Sequence, residues 1–377
     1  METLKLTVLA GEASGDQLGA SIIAGVQDLT SLSLSGVGGP ELQARGLHSL
    51  FDYSDLSVMG LAEILPKISL LLRRIDQTVK AIEATNPDVV LSVDAPDFAK
   101  RVVRRLRRRG RVHPKFIHVV APTVWAWRPG RAKTFARLFD RLLCLFPFEP
   151  EYFTRVGLKA DFIGHPALDQ IVWRDHSVVK NPVHTLVLLG SRRQEIAAMS
   201  DVFIKAIQMV ESDSSGENLK LLSLTLPHLY PHVQSLLPGV DLRTGSEAKH
   251  DLLVESDVAL AVSGTMGLEL ALAGVPHVIA YKMNPITAFI ARRLVKTPHV
   301  HLANILLGKR VVPELIQEQA TPENCARELK ALINENGVRQ GQIAAFQDVR
   351  RILDAGAPAC QLAARSILEE VRLPIGS

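Results

Sequence analysis

The sequence predicts an α/β protein built as two Rossmann-like lobes facing a cleft, and three observations carry that expectation. Short apolar runs alternate with helical patterns along the chain, as strands joined by crossover helices do in a parallel sheet. The alternation comes in two series, one starting at Leu4 and one near Thr185. The length of 377 residues suits two domains, and 47% apolar with 22% charged residues is ordinary globular usage, against a disordered, collagen-like or disulfide-stapled chain. No short fixed period repeats, which disfavours solenoids and propellers.

In the first series Leu4–Ala10 reads as a strand, Gly11–Gly15 as a tight loop and Asp16–Leu29 as an amphipathic helix. Val89–Val93, Phe116–Val120 and Arg141–Leu145 are further strands, each short, apolar and followed by a loop containing Pro or Gly. In the second series the strands are His184–Leu189, Leu221–Leu226, Val258–Val262 and His277–Tyr281, with helices at Gln194–Glu211, Met266–Ala273 and Ile286–Leu294. The polar, Pro-containing segment Trp173–Pro182 is the natural boundary, giving lobes 1–175 and 176–377. Residues after Thr321 read as helices, counted with the second lobe although they can pack back across either.

Compartment follows from simple counts. Cys144, Cys325 and Cys360 are odd in number and widely spaced, with no zinc-ligand pair or disulfide framework, which fits a reducing cytoplasm. Met1–Leu9 carries Glu2 and Lys5 in a short apolar run with no cleavage pattern, so it reads as a first strand and not a signal peptide. No stretch reaches the ~18–20 uncharged apolar residues of a spanning helix, so membrane association would be peripheral. The segment Val58–Arg74 is rich in Leu and Ile and ends in paired arginines; it reads as an interfacial helix or as a core helix. Net charge is only +4, yet Lys and Arg crowd the stretch from Lys100 to Arg141 against Asp140 alone. Such a patch suits phosphate-bearing substrates, an anionic lipid surface or nucleic acid, or is a solvated helix face. No helix-turn-helix, finger or aromatic RNA-binding pattern accompanies it, which argues against nucleic acid.

Chemistry is expected in loops beyond the carboxyl ends of the strands. Gly11-Glu12-Ala13-Ser14-Gly15-Asp16 joins strand to helix but is not a dinucleotide fingerprint; Glu12 and Asp16 are placed to accept from sugar hydroxyls, or Asp16 caps the helix. Gly36-Val37-Gly38-Gly39-Pro40 ends the next candidate strand and reads as a tight turn at least as well as a site. Asp94-Ala95-Pro96-Asp97-Phe98 puts two carboxylates beyond a buried strand, a position for a general base, with Asp97 also a ready helix cap. Pro122-Thr123-Val124-Trp125-Ala126-Trp127-Arg128 sets two indoles beside a guanidinium. In the second half Gly190-Ser191-Arg192 offers loop amides and a cation, a pair suited to a leaving pyrophosphate. Ser263-Gly264-Thr265 ends a strand and exposes helix amides, and Glu269 one turn on is placed for ribose hydroxyls or is a first-turns helix Glu.

Together these motifs resemble the lipid-A-disaccharide synthase family. The match rests on Leu9-Ala10-Gly11-Glu12-Ala13-Ser14-Gly15-Asp16, Val58-Met59-Gly60, Asp94-Ala95-Pro96-Asp97-Phe98 and Val124-Trp125-Ala126-Trp127-Arg128. It continues through Phe162-Ile163-Gly164-His165-Pro166, Gly190-Ser191-Arg192, Ser263-Gly264-Thr265 with Glu269, and Val295-Lys296-Thr297-Pro298 with Asn304. Leu189 stands where the family usually has proline before Gly-Ser-Arg. The resemblance implies an inverting glycosyltransferase of the GT-B type that joins UDP-2,3-diacylglucosamine to 2,3-diacylglucosamine 1-phosphate. The product would be a β-1,6-linked disaccharide phosphate, with UDP released and neither metal nor other cofactor required. Carried over by motif, Asp94 is the base, ahead of Asp97 near the substrate, and Arg192 stabilises the leaving diphosphate. Gly190, Ser191, Ser263, Gly264 and Thr265 bind UDP, Glu269 holds ribose, and Glu12, Ser14 and Asn304 border the sugars. The family also implies a cytoplasmic enzyme held peripherally on the inner face of the membrane through 58–74 and the basic patch, with no nucleic acid partner and with a homodimer as a candidate assembly. The rival expectation is another two-lobed UDP-sugar enzyme, a different glycosyltransferase or an epimerase.

Overall fold

Six parallel strands form the first sheet, in the order β2-β1-β3-β4-β5-β6: β1 Leu4–Ala10, β2 Leu32–Val37, β3 Val89–Val93, β4 Lys115–Val119, β5 Arg141–Cys144 and β6 Lys159–Phe162. The computed structural model describes residues 3–56, 61–174, 176, 178–212, 218–284, 288 and 297–371, without the side chains of 61–67. Val58-Met59-Gly60, Val295-Lys296 and, but for Ala288, the helix expected at Ile286–Leu294 lie outside the described residues.

The central strand β3 is buried at all five positions, as a strand covered by helices on both faces must be. One face packs against helix Ala13–Gln27 and helix Ala359–Glu370, the other against helices Leu61–Thr85, Pro96–Arg109 and Arg131–Leu138. The second sheet is parallel throughout, in the order β12-β11-β10-β7-β8-β9, with β7 Val183–Leu188, β8 Leu219–Thr225, β9 Asp241–Thr244, β10 Val258–Val262, β11 His277–Tyr281 and β12 Glu314–Ile316. Its core joins helices Arg193–Glu211 and Pro322–Asn334 to the sheet.

Contacts divide the chain into Met1–Pro166 with Leu353–Ser377, and Ala167–Ile352. The division falls before the expected 175/176, and the last helix belongs to the first unit, not the second. Physical reasons for that return are specific. Gly25 lets Ala13–Gln27 approach so closely that a Cβ there would sit 2.9 Å from the Cys360 carbonyl oxygen. Buried Arg141 donates to the Ser366 carbonyl at 2.7 Å and to Glu369 at 3.0 Å.

Burial holds several imidazoles neutral: His118 is pushed down to about 3, and His165, His176 and His277 to about 4, in each case chiefly by loss of hydration. A histidine whose folded pKa lies below its unfolded value of 6.5 binds protons more readily when unfolded. The stability it confers is complete above about 6.5 and is lost as pH falls towards the folded value. Glu149, raised to about 7 by burial, works in the opposite sense. The melting temperature is therefore expected to fall by roughly 5–10 °C between pH 7 and pH 4.5. A flat melting profile over that range contradicts the assignment of these histidines as neutral.

Candidate active site

Each sheet has a point where the strand order reverses, and there adjacent loops part to leave a crevice. In the first sheet it lies between β1 and β3, whose ends are in register at Ala10 and Val93. The loops leaving those strands are Gly11–Glu12 and Asp94–Ala95. Ser14 Oγ donates to Asp94 Oδ2 at 3.4 Å, and the Ala95 amide donates to Asp94 Oδ1 at 2.9 Å. Asp94 and Ala95 both have left-handed backbones, φ 53° and 45°, a strained pair for residues with a Cβ.

Gly11 in the first loop and Gly15 in the first turn of helix Ala13–Gln27 lie directly on the Asp94 turn. A Cβ on Gly15 would sit 2.9 Å from the Val93 carbonyl oxygen and 3.5 Å from Asp94 Cβ; one on Gly11 would sit 3.0 Å from Ala95 Cβ. Backbone cannot yield as a side chain does, so Gly15→Ala is expected to destabilise by about 1–3 kcal/mol and to displace Asp94. Chemical denaturation and turnover check it; native values for both contradict the packing argument.

Asp94 is half-buried, whereas Asp97 is exposed and paired with Lys100 at 2.7 Å and Arg131 at 3.8 Å. Partial burial pushes the Asp97 pKa up, but the Lys100 hydrogen bond and the charges of Lys100, Arg131 and Arg101 outweigh it and hold the group below the ordinary carboxylate value. Asp97 is thereby a poor proton acceptor. Glu12 is half-buried and Ser14 exposed beside them.

Asp16 neither caps its own helix nor faces sugar. It is 2% exposed, and its carboxylate accepts from the amides of Gly39, Glu41 and Leu42 at 2.7, 2.9 and 3.2 Å. It thus caps the helix Pro40–Ala44 and ties down the Gly36–Pro40 turn. The two tryptophans divide their work. Trp125 Nε1 donates to the buried Glu149 at 3.2 Å, anchoring the loop. Trp127 lies under the guanidinium of Arg128 at 4.3 Å and that of Arg131 at 5.5 Å from the ring centre.

The basic run resolves into an amphipathic helix, Pro96–Arg109, with Ala99, Val102, Val103 and Leu106 buried. Arg107 pairs with Asp140 at 3.0 Å, and Arg109 with Asp76 and Glu83, both at 3.1 Å. Arg101, Arg104 and Arg108 have no ion-pair partner among the described residues.

In the second sheet the reversal lies between β7 and β10, in register at Leu188 and Ala261. The loop after β7 differs from the expected phosphate cradle. Glu195 Oε2 accepts from the amides of Ser191 at 3.0 Å and Arg192 at 3.2 Å, and a Cβ on Gly190, at φ +102°, would lie 2.7 Å from the same oxygen. Arg192 and Glu195 therefore form a capping box for helix Arg193–Glu211, with Gly190 leaving room for the carboxylate that occupies the Ser191 and Arg192 amides. What remains for an anion is the Arg192 guanidinium, 58% exposed and 3.3 Å from Glu195 Oε1.

In the loop after β10 Ser263 is half-buried, Gly264 and Thr265 are exposed, and the nine-residue helix Thr265–Ala273 begins there. Glu269, one turn on, is held by Lys249 at 2.9 Å. Lys249 had no sequence cue, since it lies 20 residues away on helix Ser246–Glu255. A carboxylate has about four acceptor positions, so this pairing leaves room for hydroxyl donors.

Asn304 is bound up within its own loop. It is 0% exposed, and all four of its hydrogen-bonding positions are used: Oδ1 accepts from Val311 and Val312 at 2.8 and 2.9 Å, and Nδ2 donates to the Val312 carbonyl and Glu314 at 2.8 and 2.9 Å. It braces the loop around it and has no group left for a sugar.

Comparison with known proteins agrees with the motifs. The family described as Lipid-A-disaccharide synthetase matches residues 6–368. The lipid-A-disaccharide synthase of Rhodospirillum centenum is 41% identical over 98% of this chain and 96% of its own length, and that of Gluconobacter oxydans 39% over 98% and 91%. Among solved structures, a Staphylococcus aureus MnaA–UDP complex superposes with a TM-score of 0.65 at 14% identity, covering 98% of this chain and 96% of that one. Acinetobacter baumannii MurG gives 0.59 at 16% identity, covering 98% and 100%. At such identities these likenesses show the fold alone, and that fold is the GT-B type. Family match and nearly full-length relatives agree: the chain belongs to the lipid-A-disaccharide synthase family of glycosyltransferases.

Proposed function

We propose that the chain joins UDP-2,3-diacylglucosamine to 2,3-diacylglucosamine 1-phosphate, giving the β-1,6-linked disaccharide 1-phosphate and UDP. The acceptor 6-hydroxyl oxygen bonds to the donor anomeric carbon while its proton passes to Asp94. The bond from that carbon to the diphosphate oxygen breaks, and its electron pair leaves with UDP. Attack from the face opposite an α-linked leaving group makes a β-linkage, hence inversion. Arg192 and the amides at Ser263–Thr265 neutralise the charge growing on the diphosphate, the task a cation performs elsewhere. Glu269, oriented by Lys249, takes the ribose hydroxyls, and Glu12 and Ser14 border the acceptor. The observation that carries this reading is the contrast at the end of β3: Asp94 is held by a backbone amide and a serine hydroxyl, whereas Asp97 is committed to Lys100. Incubating the chain with both substrates and determining product mass and anomeric configuration tests it. An α-linked product, or none, refutes it.

The acylated substrates imply work at the inner face of the cytoplasmic membrane. Among the described residues no helix is long and apolar enough to cross a membrane. Helix Leu61–Thr85 instead exposes Ile68 and Leu72, 41% and 44% accessible and one turn apart, and Arg101, Arg104 and Arg108 supply positive charge on the same unit. Changing Ile68 and Leu72 to Ser is expected to weaken binding to anionic vesicles by about tenfold. Undiminished binding contradicts this surface.

A further inference from the structure

Behind the donor loop lies a buried pair of imidazoles that the transfer scheme does not use. His277 and His301 are 0% and 3% exposed, and their Nε2 atoms are 2.8 Å apart. The surrounding groups fix every proton. The Ala303 amide must donate, so His301 Nδ1, 3.1 Å away, is an acceptor and the His301 proton is on Nε2. The Val275 carbonyl must accept, so His277 Nδ1, at 2.7 Å, carries the His277 proton, and His277 Nε2 accepts from His301. A proton added to either ring would turn one acceptor into a donor facing a donor, so the geometry itself requires both to be neutral. Burial pushes both pKa values down in the same sense.

This pair joins three pieces of the donor half. His277 opens β11, where Gln342 grips its backbone amide and carbonyl at 2.9 and 3.2 Å. His301 caps the helix Leu302–Leu307, the helix that carries Asn304. The Nε2–Cδ2 edge of its ring also abuts the first turn of helix Thr265–Ala273: a Cβ on Gly267 would be 2.6 Å from His301 Nε2 and 2.9 Å from Cδ2. Gly267 is two residues beyond Thr265, so the imidazole sets how close that helix end stands to the sheet.

We infer that His277 and His301 are positioning residues for the nucleotide, fixing the height of the Ser263–Thr265 amides and Glu269 through Gly267. The inference rests on the donor-site reading above. Loss of the link lets the helix end shift, which costs donor affinity while leaving the acceptor side intact. A purely structural pair would lower the melting temperature without separating donor from acceptor.

The test is calorimetric titration of the full chain with UDP, with KM measured for each substrate. His301→Ala is expected to weaken UDP binding by about tenfold and to raise donor KM to match, with acceptor KM unchanged. His277→Gln, which keeps an oxygen acceptor opposite His301 Nε2, is expected to stay within about twofold of native. Should His301→Ala fail to fold, Gly267→Ala presses a methyl on the same ring and is expected to show the same donor-specific loss. Native UDP affinity in a folded His301→Ala or Gly267→Ala variant overturns the inference while leaving the donor site standing, as does an equal rise in both KM values. Failure of the native chain to bind UDP overturns the donor site and the inference together.

Discussion

Asp94→Asn is expected to lower disaccharide formation by about a hundred- to ten-thousandfold, the range spanned by removal of a general base, while leaving UDP affinity unchanged. The amide preserves size, its Oδ1 still accepts from the Ala95 amide and its Nδ2 donates to the Ser14 hydroxyl in place of the native bond, so the left-handed turn at Asp94 and Ala95 is retained. It cannot take the proton of the acceptor hydroxyl. Asp97→Asn is expected to have a far smaller effect, because that carboxylate is bound to Lys100 and held below the ordinary carboxylate value. Steady-state rates on the two variants, with UDP titrations as the control, separate the assignments. Equal losses, or a larger loss at Asp97, reverse them.

The second large effect is at Arg192. With the Ser191 and Arg192 amides taken by Glu195, the guanidinium is what the loop after β7 offers to a departing diphosphate. Arg192→Ala is expected to lower kcat by about a hundred- to a thousandfold, comparable to removing one donor aimed at developing charge. Arg192→Lys is expected to recover only part, since an ammonium lacks the fork that grips two phosphate oxygens. The side chain is mostly exposed, so melting temperatures stay native in both variants. Native kcat in the alanine variant removes Arg192 from the scheme.

The inner strands of both sheets were legible in the sequence because they are continuous apolar runs. Val89–Val93, Val258–Val262 and His277–Tyr281 stand where their composition put them. The outer strands β6, β9 and β12 were not, because edge strands are short and partly polar: Lys-Ala-Asp-Phe, Asp-Leu-Arg-Thr and Glu-Leu-Ile carry little period of their own. The same divide holds at the site. Asp94, Arg192 and Ser263–Thr265 follow strand ends, a position readable from local pattern. The partners the structure supplies, Glu195 to Arg192, Lys249 to Glu269, Glu149 to Trp125 and Glu314 to Asn304, act across a turn or between elements. Only the spacing of Glu195 three residues after Arg192, a capping-box interval, was there to be read. The Ser191 amide and the Asn304 side chain share one feature, a partner that a linear reading does not place beside them.

The most direct test of the account is the rate of UDP release from UDP-2,3-diacylglucosamine with and without 2,3-diacylglucosamine 1-phosphate, in the native chain and in Asp94→Asn. Direct displacement predicts release that depends on acceptor, one disaccharide per UDP, and loss of both in the variant. Release that is independent of acceptor, or a donor rearranged without transfer, contradicts a synthase with Asp94 as its base.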